Sequence, residues 1–128
     1  MQEVKIRSFT DLHVWQKSYK LGLDIYKISR TFSKEELYGV TSQLRRAVIS
    51  VSCNIAEGFA RPGQKEKQQF LFIALGSLVE TQNLLLLCKD LGYLSKQEFT
   101  DLAKETIEIS KMLNSSIISL RKYKRHFT

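Results

Sequence analysis

The chain is poor in residues that break or reverse a backbone, with one proline and six glycines among 128 residues. Sheet proteins need many tight turns built from those residue types, so the scarcity excludes a β-rich fold and favours a few long helices. There are two cysteines, Cys53 and Cys88, and neither stands in a CxxC or metal-type cluster. A disulfide scaffold or zinc site is therefore excluded, and both are expected as buried free thiols within apolar helical stretches. Histidine is equally scarce, with His13 and His126 alone, and neither follows a glutamate at the Glu-x-x-His spacing of di-metal bundles. No catalytic residues, metal or cofactor are expected. No uninterrupted apolar run approaches the roughly 20 residues of a membrane span. The start, Met1 to Phe9, carries Glu3, Lys5 and Arg7, unlike a signal peptide. The expectation is a cytoplasmic protein without a membrane partner.

What the sequence has in quantity is amphipathic helix. Residues 1–128 fit a single domain. Helix one is predicted from Asp11 to Phe32, with Ser8 or Thr10 as its cap. Ser33-Lys34-Glu35-Glu36 has the S-x-x-E form of a capping box and is read as the opening of helix two. That helix should stop near Ala60, because Pro62 disfavours helical geometry at Arg61. Helix three is predicted from Lys65 to Leu91, ended by Gly92. A second capping box, Ser95 to Glu98, opens helix four, which runs to about Tyr123. Short connections make neighbours antiparallel, giving an all-α, up-down-up-down four-helix bundle.

The helical faces carry more apolar surface than one bundle needs. On helix one, Leu12, Trp15, Tyr19, Leu23 and Tyr26 form one stripe and Val14, Leu21, Ile25, Ile28 and Phe32 an opposed one. Ser18, Gly22 and Ser29 lie on one flank between them, where small side chains let another helix approach. On helix three, the consecutive residues Phe70 to Leu75 wrap most of the circumference. A peripheral helix needs a single apolar stripe, so the second implies a homo-oligomer. Trp15, Tyr19, Tyr26, Phe70 and Phe72 are the candidate interface residues. On helix two, Gln43, Arg46, Ser50, Asn54, Glu57 and Arg61 share a polar face. There a Glu57–Arg61 ion pair is expected, with Glu80 satisfying Arg45 or Arg46 across the bundle.

The net charge of +7 favours polyanionic partners. Two clusters carry it most densely: Arg61, Lys65 and Lys67 at the corner between helices two and three, and Arg121, Lys122, Lys124 and Arg125 at the C-terminus. These are the candidate RNA- or DNA-binding residues, with Tyr123 and Phe127 placed to stack on unpaired bases. A purely structural assembly module, with charge serving solubility, is the alternative. A remoter one is a HEPN-like ribonuclease, since Arg121 and His126 have its R-x4-H spacing.

The strings Gln43-Leu44-Arg45-Arg46-Ala47 and Asn54-Ile55-Ala56-Glu57-Gly58, with Phe70-Leu71, Ala74-Leu75-Gly76-Ser77-Leu78 and Glu80, carry a further signal. With Asp11-Leu12, Val14-Trp15 and Gly92-Tyr93-Leu94 they resemble the bacterial four-helix-bundle proteins encoded in intervening sequences of 23S ribosomal RNA genes. The accessory variability determinant of diversity-generating retroelements is similar. The resemblance implies a ring-like homopentamer with a basic surface. For the retroelement relative it implies binding to nucleic acid and to a reverse transcriptase. Asn54, Glu57 and Glu80 match the family's polar signature and are read as structural, while Pro62-Gly63 departs from its usual basic-serine pair.

Overall fold

The computed structural model describes residues 5–127, with side chains described as far as Arg121. Among the described residues there are four α-helices and no strand: α1 His13–Ser29, α2 Val40–Ala60, α3 Gln64–Asp90 and α4 Lys96–Phe127. Neighbours in sequence pack side by side, α4 returns beside α1, and the backbones of diagonal helices stay apart across the core. This is the up-down-up-down order expected from the short connections.

Local chemistry sets the boundaries. At α4 the Ser95 hydroxyl accepts from the Glu98 amide at 3.0 Å, and the Glu98 carboxylate accepts from the Ser95 amide at 2.8 Å, completing a capping box. Gly92 follows α3 with φ +86°, the left-handed geometry that glycine adopts without strain. Two starts differ from expectation. Ser8 caps a 3-10 turn, Phe9–Asp11, and Leu12 is extended, so α1 begins at His13 and ends at Ser29, short of Phe32. Ser33 likewise caps only the 3-10 turn Lys34–Glu36. Gly39 (φ −114°, ψ −118°) breaks the helical path there, and α2 starts at Val40. The Glu36 carboxylate, expected to close the box at Ser33, accepts instead from the Val40 amide at 3.3 Å.

The core is built from one stripe of each helix. Leu21 and Ile25 meet Leu44, Val48, Val51 and Ile55, all fully buried, with Leu78, Leu85, Ile109 and Leu113 opposite. Thus Val14, Leu21, Ile25 and Phe32 face inward, while Tyr19 and Leu23 on the opposed stripe are 49% and 56% exposed. On the small-residue flank of α1, Ser18 and Ser29 are buried and Arg45 Nε donates to the Ser29 hydroxyl at 2.8 Å, whereas Gly22 between them faces open space, with no helix packed against it. The tightest approach lies between α2 and α3. A Cβ built on Gly58 would meet the Phe70 Cβ at 3.0 Å, and Ser50 shares a 2.7 Å hydrogen bond with Ser77.

One further expectation is corrected. Cys53 is exposed on the outer face of α2, because its position lies half a turn from the core stripe; only Cys88 is buried. Burial raises the Cys88 thiol to about 11, with the Glu36 carboxylate adding to the effect. By length and composition α3 could cross a membrane, with mean hydropathy 1.7 over an 18-residue window, although its longest uninterrupted apolar run is the six residues Phe70–Leu75, as expected. Between Phe70 and Leu87, neutral Gly, Ser, Thr, Gln and Asn and one carboxylate, Glu80, separate the apolar runs. In the bundle α3 packs against both α2 and α4, with Leu71, Ala74, Leu78 and Leu85 turned into the core.

Candidate nucleic-acid interface

The antiparallel topology brings the two predicted basic clusters to one end of the bundle. Leu12 before α1, Phe59 near the end of α2, Lys67 in the first turns of α3 and Leu120 near the end of α4 surround one shared pocket of about 380 Å³ there. Arg61 leaves α2 with extended geometry, imposed by Pro62 after it, and its amide bonds back to the Gly58 carbonyl at 3.2 Å. Its guanidinium lies 4.9 Å from the centroid of the Phe70 ring. On the other side of α3, the exposed Arg121 sits 5.8 Å from the centroid of the Phe72 ring. Cation–π contact holds each guanidinium while leaving its edge N–H groups to solvent. Lys65 is exposed beside them. The Lys122, Lys124 and Arg125 side chains, with those of Tyr123, His126 and Phe127, lie outside the described residues.

Lys67 is different. Its ammonium donates to the carbonyl of Phe59 at 2.7 Å and of Gly58 at 3.4 Å, so it closes the C-terminus of α2 rather than standing in solvent. The sequence placed it correctly at the corner, but spacing alone could not show that the α2 carbonyls lie within its reach.

The expected ion pairs on the polar face of α2 do not form. Arg61 turns to Phe70 rather than Glu57, and Arg45 is taken by Ser29 and by the Tyr26 ring, 4.7 Å from its guanidinium. Neither Glu57 nor Glu80 has an ion-pair partner among the described residues, and both are exposed. Asn54 does act within the fold, donating to the Ser50 carbonyl at 2.7 Å and hydroxyl at 3.0 Å.

Among the described residues, two ion pairs bridge α1 and α4, while Lys20–Asp24 lies within α1 and Lys89–Asp90, at 3.8 Å, at the end of α3. Lys17 meets Glu108 at 2.8 Å, and Lys20 meets Asp24 at 2.8 Å and Glu105 at 2.9 Å. They line an open groove of about 840 Å³. Hydrogen bonding and charge from Lys17 hold the Glu108 carboxyl below its ordinary value, whereas partial burial raises that of Glu105. Among the described residues no group of three His, Cys, Asp or Glu side chains is arranged to hold a metal.

The predicted interface residues divide. Tyr19 and Phe72 are exposed; Trp15, Tyr26 and Phe70 are half-buried. Trp15 stacks on Tyr19, with centroids 4.7 Å apart, and meets Phe9 edge-on at 5.1 Å. Sequence reading missed Val79 and Leu86, exposed on α3 at seven-residue spacing from Phe72, and Ile107 and Ile118, exposed on α4. The signal was present: positions 72, 79 and 86 repeat at the heptad interval.

Comparison with known proteins places this geometry in a family. Residues 10–115 match the family described as 23S rRNA-intervening sequence protein. A solved structure from Bacteroides thetaiotaomicron VPI-5482, described as a protein with unknown function from the S23 ribosomal protein family, superposes with a TM-score of 0.76 at 24% identity. It covers 81% of this chain and 97% of its own and supports the shared fold. No curated protein matches in sequence.

Proposed function

The chain belongs to the 23S rRNA-intervening sequence protein family, and from that premise we propose that it is a non-enzymatic, self-assembling helical bundle that binds RNA or DNA in the cytoplasm. The observation that carries the reading is the state of Arg61, Lys65 and Arg121: exposed, at one end, and without a carboxylate partner among the described residues. Such cations are free to replace counterions along a phosphate backbone, a favourable exchange that weakens as salt rises. Assembly into a ring-like homo-oligomer, pentameric as the family resemblance implies, would repeat the site. A nucleic-acid enzyme such as a reverse transcriptase is the partner such an adaptor would serve.

The test is a fluorescence-anisotropy titration with labelled single- and double-stranded RNA and DNA at low and near-physiological salt. Binding that falls steeply with salt supports the reading. Absence of binding at low salt would leave the other reading, a structural assembly module, which the exposed Phe72, Val79, Leu86, Ile107 and Ile118 favour.

A further inference from the structure

We infer that assembly gathers the basic ends of all copies onto one rim, so that nucleic acid is held on a single face of the particle by a strand spanning several subunits. The inference rests on the self-assembling, nucleic-acid-binding reading above. It adds where on the particle the polyanion lies and why assembly strengthens its grip.

The two ends of the bundle are chemically unlike. At the end with Arg61, Lys65 and Arg121, the N-terminal segment adds exposed Lys5 and Arg7. Among the described residues the acidic ones there are Asp11, Glu57 and Glu66, fewer than the cations, and the Asp11 carboxylate is occupied by the amides of Arg7 and Ser8 at 2.9 and 3.1 Å. At the other end Lys27, Arg30, Lys34, Lys89 and Lys96 stand among Glu35, Glu36, Asp90, Glu98 and Asp101. Charge there is mixed, which suits water better than a phosphate chain.

The exposed apolar faces run along the length of the bundle on opposite sides. Tyr19, Leu23 and Ile49 lie on the α1–α2 side, and Phe72, Val79 and Leu86, with Ile107 and Ile118, on the α3–α4 side. Covering one kind of face with the other is a heterologous contact, which forms a ring where its rotation closes, as in the ring-like assembly proposed above, and an open array where it does not. Such a rotation cannot invert a subunit along that axis. Every basic end therefore points the same way, whatever the subunit number. A bundle two helices wide measures about 20 Å across, so neighbouring basic ends are separated by roughly six base pairs of duplex. A longer strand meets several ends, and each added contact is intramolecular.

The experiment compares two triple variants that remove equal charge: Arg61→Ala, Lys65→Ala, Arg121→Ala at the basic end, and Lys27→Ala, Arg30→Ala, Lys34→Ala at the mixed end. Each is titrated with labelled duplexes of five and thirty base pairs at low salt, with native mass measured alongside. The first triple is expected to lose about tenfold or more in affinity for the long duplex, the second less than about twofold. The wild type should bind the long duplex far more than about 26-fold tighter, beyond the gain from the overlapping five-base-pair sites that thirty base pairs offer. Equal loss in both triples would overturn the one-rim assignment and leave only diffuse attraction. Absence of wild-type binding would instead overturn the nucleic-acid reading beneath it. Should the first triple change its native mass, photo-crosslinking of wild type to the long duplex decides. Adducts at 61–67 support the assignment, and adducts at 27–34 overturn it.

Discussion

Lys67 donates its ammonium to the carbonyl of Phe59 across the α2–α3 corner, at 2.7 Å, and lies 5.5 Å from the centre of the same residue's ring. A lysine that sequence groups with the phosphate binders is thus held by the end of the preceding helix. Lys67→Met should lower stability by roughly 1.5–3 kcal/mol, the scale of a hydrogen bond from a charged donor. Urea denaturation measures it. Nucleic-acid affinity should change less than in Arg61→Ala; the reverse ranking would return Lys67 to the binding surface.

Gly58 sets the spacing of the same corner. Alanine there would press its Cβ to 3.0 Å from Phe70 Cβ and 3.4 Å from the Lys67 carbonyl. Overpacking of this kind typically costs about 1–3 kcal/mol, outweighing the better helix propensity of alanine. At Gly22, where nothing lies within 4 Å, the same substitution should be neutral or stabilising. Thermal denaturation of the two variants should place them on opposite sides of wild type.

Assembly should separate the two stripes of α1. Leu21→Ala empties a fully buried site and should cost about 2–5 kcal/mol in a denaturation curve. Tyr19→Glu and Val79→Glu alter residues 49% and 57% exposed, so the subunit should fold while native mass falls. A maleimide provides a second reading. Cys88 should react only on unfolding, whereas the exposed Cys53 should react in the folded protein.

The α1–α4 ion pairs make opposed contributions with pH. Glu108 is held below its ordinary value of 4.5 by Lys17. The folded state therefore resists its protonation, and its stabilisation is present above that value and lost as pH falls through the folded one. Glu105 is raised by burial, so the folded state binds its proton more readily and stability contributed there grows as pH falls. Relative to wild type, Glu108→Gln should be destabilised at neutral pH, with the gap closing in acid. The Glu105→Gln difference should move the other way, shifting toward destabilisation as wild-type Glu105 becomes protonated. Denaturation curves from pH 3 to 7 test both signs.

Backbone punctuation was the most legible part of the fold. Pro62, Gly92 and the Ser95–Glu98 box each act through neighbours a few residues away, and each ended or opened a helix where expected. Ser33 misled because a capping box fixes only a first turn, and the chain left the helical path at Gly39 before α2 began. Face counting identified an inward and an outward stripe on α1; only packing could show which was which. The side-chain pairings were least legible. Arg61 had Glu57 at ideal helical spacing, yet extended geometry at the helix end carried it to Phe70. For the candidate site, sequence supplied the basic clusters, and the antiparallel topology brought their described members to one end.

The helix pairs are bound unequally. α2 and α3 share the most extensive contact, joined by a corner of three residues, whereas α1 and α4 touch least and are linked through lysine–carboxylate pairs. A chain emerging from the ribosome can therefore close its central hairpin while α4 is still being made. The seam between the first and last helices closes only at the end of synthesis, and it is the one that rising ionic strength loosens first.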